Sequence, residues 1–132
     1  MFAYEAAHAV ARLVVGRGET VVLECTYARI EQRASLLAAL AETPATPLWA
    51  VEFFVTPDEA VRRFRERHEA TDLDERLVRE RAARFPYSDQ PLRVDSAAAA
   101  PGELARQITD WWRRRPEELH RETWAATGRG WD

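Results

Sequence analysis

The stretch Val21-Val22-Leu23-Glu24-Cys25-Thr26-Tyr27 decides how this chain is read. Two β-branched residues and a leucine make a short apolar run, and Gly16-Arg17-Gly18 breaks the chain just before it. Such a run bounded by turn residues predicts a buried strand over residues 20–25. Glu24 stands at its end, and Arg29 and Arg33 follow within nine residues. A carboxylate closing an apolar strand must reach water, a cation or an arginine. Glu24 therefore serves either a ligand site or a structural pair with Arg29.

Outward from this strand, helix and strand alternate. Residues 2–15 predict a helix with Phe2, Ala6, Ala9, Val10 and Leu13 on one face. Residues 30–41 predict a second helix, closed by Thr43-Pro44, and residues 48–55 a second strand that is apolar except at Glu52. Thr56-Pro57-Asp58-Glu59 is a helix start, with Thr as the cap, Pro at the first helical position and Glu at the third. That helix should reach about His68. Thr71 and Asp74 should cap the next, which carries on to Phe85. Leu92-Arg93-Val94-Asp95 predicts a third strand, residues 103–112 a helix, and Pro116-Glu117-Glu118 the start of a last short one.

Strands joined through helices predict a parallel sheet with helices on its faces, an α/β fold of three layers. Near-continuous apolar strands fit a sheet buried on both sides. In such sheets ligands bind beyond the carboxyl ends of the strands. Three ends can be read: Glu24, Thr26, Arg29 and Arg33; Thr56-Pro57 leading into Arg62, Arg63, Arg65 and Arg67; and Asp95 with Ser96.

Composition narrows the chemistry. The chain has 132 residues, 46% hydrophobic and 31% charged, which suits one globular domain. Its formal charge of −3 gives no overall attraction to nucleic acid, so any anion binding must be local. A lone cysteine, Cys25, excludes an internal disulfide and any cysteine-rich metal site, and reads as a small core residue. His8, His68 and His120 have no partner at metal-ligand spacing. No apolar run approaches the ~18 residues of a membrane span, so the expected location is the cytoplasm. All 19 basic residues are arginine, and no Gly-x-x-x-x-Gly-Lys-Ser/Thr appears. Arginine grips phosphate with a planar fork but does not replace the compact ammonium of a phosphate-binding loop.

Taken in order, these pieces resemble the small P-loop kinases, the ATP-binding group that includes polynucleotide kinase domains, zeta toxins, gluconate kinases and chloramphenicol phosphotransferase. Residues 21–27 with Arg29 look like that group's Walker B strand and the turn after it. Residues 49–67 resemble its next strand and arginine-bearing helix, Thr71-Asp72 the cap of its lid helix, and Val94-Asp95-Ser96 its closing strand. The resemblance spans about residues 3–112. It implies a P-loop NTPase-like domain over residues 1–112, with a lid at about 62–86, and an Arg/Trp-rich extension over 113–132.

Residue by residue, the resemblance implies that Glu24 is the Walker B carboxylate, touching Mg²⁺ through water. Arg63 and Arg67 are implied as lid arginines that neutralise a transferred phosphoryl group, Arg29 and Arg33 as residues that hold the acceptor or close the site, and Asp95 and Ser96 as neighbours of the nucleotide. ATP and Mg²⁺ are the implied cofactors, and a hydroxyl on a small metabolite, an antibiotic or a nucleic-acid end the implied acceptor. Glu24 departs from the family's Asp by one methylene. The P-loop strand, its lysine and its helix are missing, so the domain reads as truncated at the N-terminus and inactive alone.

In the family's strand order the missing strand lies between residues 20–25 and 48–55. Its loss would leave a gap of about 10 Å flanked by unpaired edges. The two flanking strands could re-pair directly, but a homo-oligomer or a partner chain completing the sheet is the expected remedy. The alternative is a non-catalytic kinase-like interaction module. The arginines of residues 62–84 alternate with glutamates and form either a phosphate lid or a solvated face of i,i+4 pairs. The tail tryptophans, Trp124 and Trp131 with Trp111 and Trp112, suit either an interface or docking onto the chain's own sheet.

Overall fold

In the computed structural model, which describes residues 1–67, 73–129 and 131, the chain is an α/β protein built on a two-stranded parallel sheet. Its elements in order are α1 (Phe2–Val15), α2 (Ile30–Ala39), β1 (Val51–Phe54), α3 (Pro57–Arg67), α4 (Glu75–Ala83), β2 (Leu92–Asp95), α5 (Pro101–Arg113) and α6 (Arg121–Ala126). β1 and β2 run in register from Val51 opposite Leu92 to Phe54 opposite Asp95. The α3–α4 hairpin supplies the crossover that a parallel pair requires.

Local chemistry accounts for these elements. The Thr56 hydroxyl accepts from the Glu59 N–H at 3.2 Å, and α3 begins at Pro57, whose missing N–H costs nothing there. Asp74 caps α4 through the Leu77 N–H at 2.7 Å. The expected Thr71-Asp72 cap and His68 lie outside the described residues. Helix α5 starts two residues earlier than expected, on Pro101. Pro116-Glu117-Glu118 starts no helix; α6 begins instead at Arg121.

Two expectations are corrected. Residues 20–25 are extended but belong to no strand, and Val22 is 91% exposed. Leu23, Cys25 and Tyr27 are sheltered while Val22, Glu24 and Thr26 are exposed. That is the period-2 alternation of a strand laid on a core with no neighbour to bond. Second, α1 presents its apolar stripe to solvent, with Phe2 84%, Val10 60% and Leu13 63% exposed. It buries His8 and Ala11 instead, because polar partners for His8 lie inside.

The core is small. Leu36, Leu40, Leu119 and Trp124 form its centre, with Leu23, Tyr27 and Leu48 packed against it. Residues 113–129 fold back: α6 packs on α2, and the Leu119 N–H donates to the Leu48 carbonyl at 2.8 Å. The Trp131 indole N–H donates to the Arg81 carbonyl at 3.0 Å. Trp112 remains 47% exposed. Among the described residues no helix is long and apolar enough to cross a membrane.

Candidate functional site

Between the extended segment and β1 lies a groove of about 400 Å³. Glu24, Cys25, Thr26 and Tyr27 form one wall, and Ala50, Val51, Glu52 and Phe53 the other, with Phe85 and Trp124 closing around them. Both walls are backbone edges. The carbonyls of Ala50 and Phe54 accept from Leu92 and Ser96, so the even-numbered residues of β1 bond to β2. Val51 and Phe53 therefore turn their main-chain groups the other way, toward the groove, and the Phe53 carbonyl accepts from the Tyr87 hydroxyl at 3.4 Å. Among the described residues, 21–26 make no backbone hydrogen bond.

The groove is held open by a buried framework. Arg33, 1% exposed, donates to four oxygens: Tyr27 O at 2.8 Å, Trp124 O at 2.7 Å, Thr127 Oγ1 at 2.5 Å and Pro86 O at 3.1 Å. Its guanidinium also stacks over the Trp124 ring, 4.9 Å from the centroid. Burial pushes the Arg33 guanidinium below its ordinary range, and the Glu52 carboxylate pulls it back. Glu52 is itself buried within β1. Burial raises its carboxyl, while the Ser88 N–H, donating to both oxygens at 3.0 and 3.2 Å, and then Arg33 oppose the rise.

Tyr27 anchors the other wall. Its φ of 49° lies in the left-handed region, a conformation held only where neighbours over-determine it. The neighbours here are Arg33 on its carbonyl and His8, whose Nε2 lies 2.8 Å from the Tyr27 hydroxyl. The His8 Nδ1 lies 2.9 Å from Ser35 Oγ, and the imidazole stacks on the Tyr27 ring. Burial lowers the His8 pKa, with Glu5 opposing, and burial raises the Tyr27 hydroxyl.

A second cluster sits at the carboxyl ends of β1 and β2. Arg63 Nη1 and Nη2 donate to Ser96 Oγ at 2.9 Å and Ser96 O at 3.0 Å, while its Nε donates to Glu59 at 2.6 Å. Ser96 in turn donates its N–H and hydroxyl to the Phe54 carbonyl. Hydrogen bonds from Arg62 and Arg63 hold the Glu59 carboxyl down to about 2. The Asp95 carboxylate accepts from the Ala97 N–H at 2.9 Å.

The expected site residues thus fall in separate places. Glu24 and Arg33 line the groove, Glu24 exposed and Arg33 buried. Arg63, Ser96 and Asp95 gather at the strand ends. Arg29, exposed, precedes α2 and bridges to Arg129, and Arg67, exposed, ends α3. Sequence reasoning gave no functional role to Glu52 or His8, and left Trp124 between an interface and docking inward; it is buried beneath Arg33. The lone carboxylate inside an apolar strand was the one legible signal, since it needed a partner as Glu24 does.

Among the described residues, no buried side-chain nitrogen or oxygen lacks a hydrogen-bond partner, and no three His, Cys, Asp or Glu gather at metal-binding distance. What the groove offers is therefore main-chain donors and acceptors beside aromatic walls, with Glu24 at its rim. No family model, no curated protein and no solved structure matches this chain.

Proposed function

We propose that this chain takes an extended strand from another polypeptide segment into the groove between residues 21–27 and β1, and that the completed sheet is a small P-loop kinase-like phosphotransferase acting on a hydroxyl acceptor. The observation that carries the reading is a pair of backbone edges without strand partners across about 400 Å³, with the Phe53 carbonyl met by the Tyr87 hydroxyl at 3.4 Å. Strand addition to an open edge supplies a row of main-chain hydrogen bonds, and alternate side-chain pockets supply selectivity. In the kinases that the residue order resembles, a phosphate-binding strand occupies the corresponding position.

The residues present do not fit ATP and Mg²⁺ by themselves. Arg33 spends its donors on four internal oxygens, and Glu24 is a single carboxylate. The phosphate cradle must arrive with the added strand, so the chain alone transfers nothing. Its own contribution is Glu24 at the rim and the Arg63–Ser96 pair at the strand ends. The commitment of Arg33 and Arg63 to internal bonds favours the second reading, a kinase-like interaction module without catalysis.

The test is thermal. A strand bearing Gly-x-x-x-x-Gly-Lys-Ser, joined ahead of residue 1 through a flexible linker, should raise the melting temperature, and ATP–Mg²⁺ should raise it further. The unmodified chain should ignore ATP–Mg²⁺. Protection by the strand with no response to nucleotide would select the interaction module. No protection by the strand would refute both.

A further inference from the structure

The outer face of α1 is a second uncovered surface, distinct from the groove. Phe2, Ala6, Ala9, Val10 and Leu13 all lie on that face, and all five are exposed. They fall within one stripe because their spacings follow the helical period. Polar residues flank the stripe: Glu5 and Arg12, seven positions apart and on the same side, with Arg12 also reaching Glu42 of its own chain at 3.2 Å through one guanidinium nitrogen. Apolar residues exposed singly are ordinary, but here five line one continuous stripe on a helix whose opposite face is already packed.

We propose that this face joins two copies of the chain through an antiparallel α1–α1 contact about a two-fold axis. The stripe is self-complementary in that orientation. With the axis between Ala6 and Ala9, Phe2 of one copy lies opposite Leu13 of the other. Ala6 then meets Ala9, and small residues at the crossing point let the two backbones approach closely. A two-fold axis returns each flank to the same side. Glu5 of one copy then stands within about two residues' rise, roughly 3 Å along the axis, of Arg12 of the other. Two Glu–Arg pairs therefore close the edge of the seam. A parallel two-fold would carry the flanks to opposite sides, facing Glu5 and Arg12 with the Ala3, Ala7 and Val14 flank, so no Glu–Arg pair would form.

The contact is modest. A 14-residue helix is about 21 Å long and about 10 Å across, less than the roughly 800 Å² per partner of a standard stable interface once curvature is counted. The dimer should be weak and concentration-dependent. It does not depend on what enters the groove.

Sedimentation equilibrium across the soluble concentration range tests this, with circular dichroism confirming that each variant keeps its fold. The unmodified chain should form dimers. Leu13→Asp should weaken them about tenfold or more. Glu5→Arg should weaken them by setting like charges together, and the double variant Glu5→Arg/Arg12→Glu should restore them. A chain that stays monomeric throughout, as it would if another segment covers the stripe, would overturn the proposal. So would a dimer indifferent to Leu13→Asp, a dimer not rescued by the double charge exchange, or open-ended assembly beyond two.

Discussion

The Arg33 guanidinium donates to the main-chain carbonyl of Trp124 at 2.7 Å, joining α2 to α6 across a separation of 91 residues. The same side chain reaches Tyr27 and Pro86, so one arginine ties the extended segment, the end of the α3–α4 crossover and the tail together. A fork of five donors suits this task as a lysine ammonium would not.

Arg33→Ala should destabilise the fold by about 3 kcal/mol or more, because it leaves several buried carbonyls without a donor. Arg33→Lys should recover only part of the loss. Denaturant titration followed by tryptophan fluorescence measures both. An Arg33→Ala variant as stable as the parent would mean that the side chain waits for a ligand instead of holding the core.

Acid should weaken the protein through His8. Its folded pKa lies below the unfolded value of about 6.5, so the unfolded chain binds the proton first. The stability His8 contributes is present above about pH 6.5 and lost as pH falls from there through the folded pKa. His8→Gln should flatten that slope. The measurement is the difference in unfolding free energy between the two proteins from pH 7.5 to 5, in which other groups cancel.

Glu52 works with the opposite sign. Its folded pKa is raised by burial, so the protein favours the protonated form and carries a penalty at neutral pH. Glu52→Gln keeps an oxygen for the Ser88 N–H and should raise the unfolding midpoint at pH 7. The gain should shrink as pH falls through the folded pKa and vanish below about 4.5, where the carboxyl is protonated in both states. A gain that persists at pH 3 would contradict this account.

At Gly128, a Cβ would stand 3.0 Å from the Arg29 carbonyl carbon, the Ile30 nitrogen and Arg33 Cδ. Two of those atoms are backbone and cannot swing aside. Gly128→Ala should therefore cost about 1–3 kcal/mol and loosen the tail from the start of α2. Limited proteolysis should then cut within residues 113–129 sooner than in the parent.

The sequence announced the local starts better than the long-range partners. Thr56-Pro57 and Asp74 act as caps because capping is settled within four residues. The run 48–55 contains β1, trimmed to the residues that pair with β2. Residues 20–25 have the composition of a strand and its alternation, but a strand also needs a neighbour, which composition cannot supply. Helix α1 was turned over because apolar residues lie nearly all round it. Its burial is decided by where His8 finds Tyr27 and Ser35, 19 and 27 positions away. Arg33 was legible as an arginine beyond a strand end, though not as one facing inward. That depends on α6, which lies beyond the part of the chain that resembles the kinases.

The open groove is the central claim, and amide hydrogen exchange resolved by residue reads it directly. In β1 the account predicts alternation: Glu52 and Phe54, bonded to β2, exchange slowly, while Val51 and Phe53 exchange fast. The amides of residues 21–26 should exchange as fast as Val51 and Phe53, and both sets should slow together when a strand enters. Uniformly slow exchange at Val51, Phe53 and residues 21–26 in the isolated chain would mean that these edges are already paired, and would contradict the account.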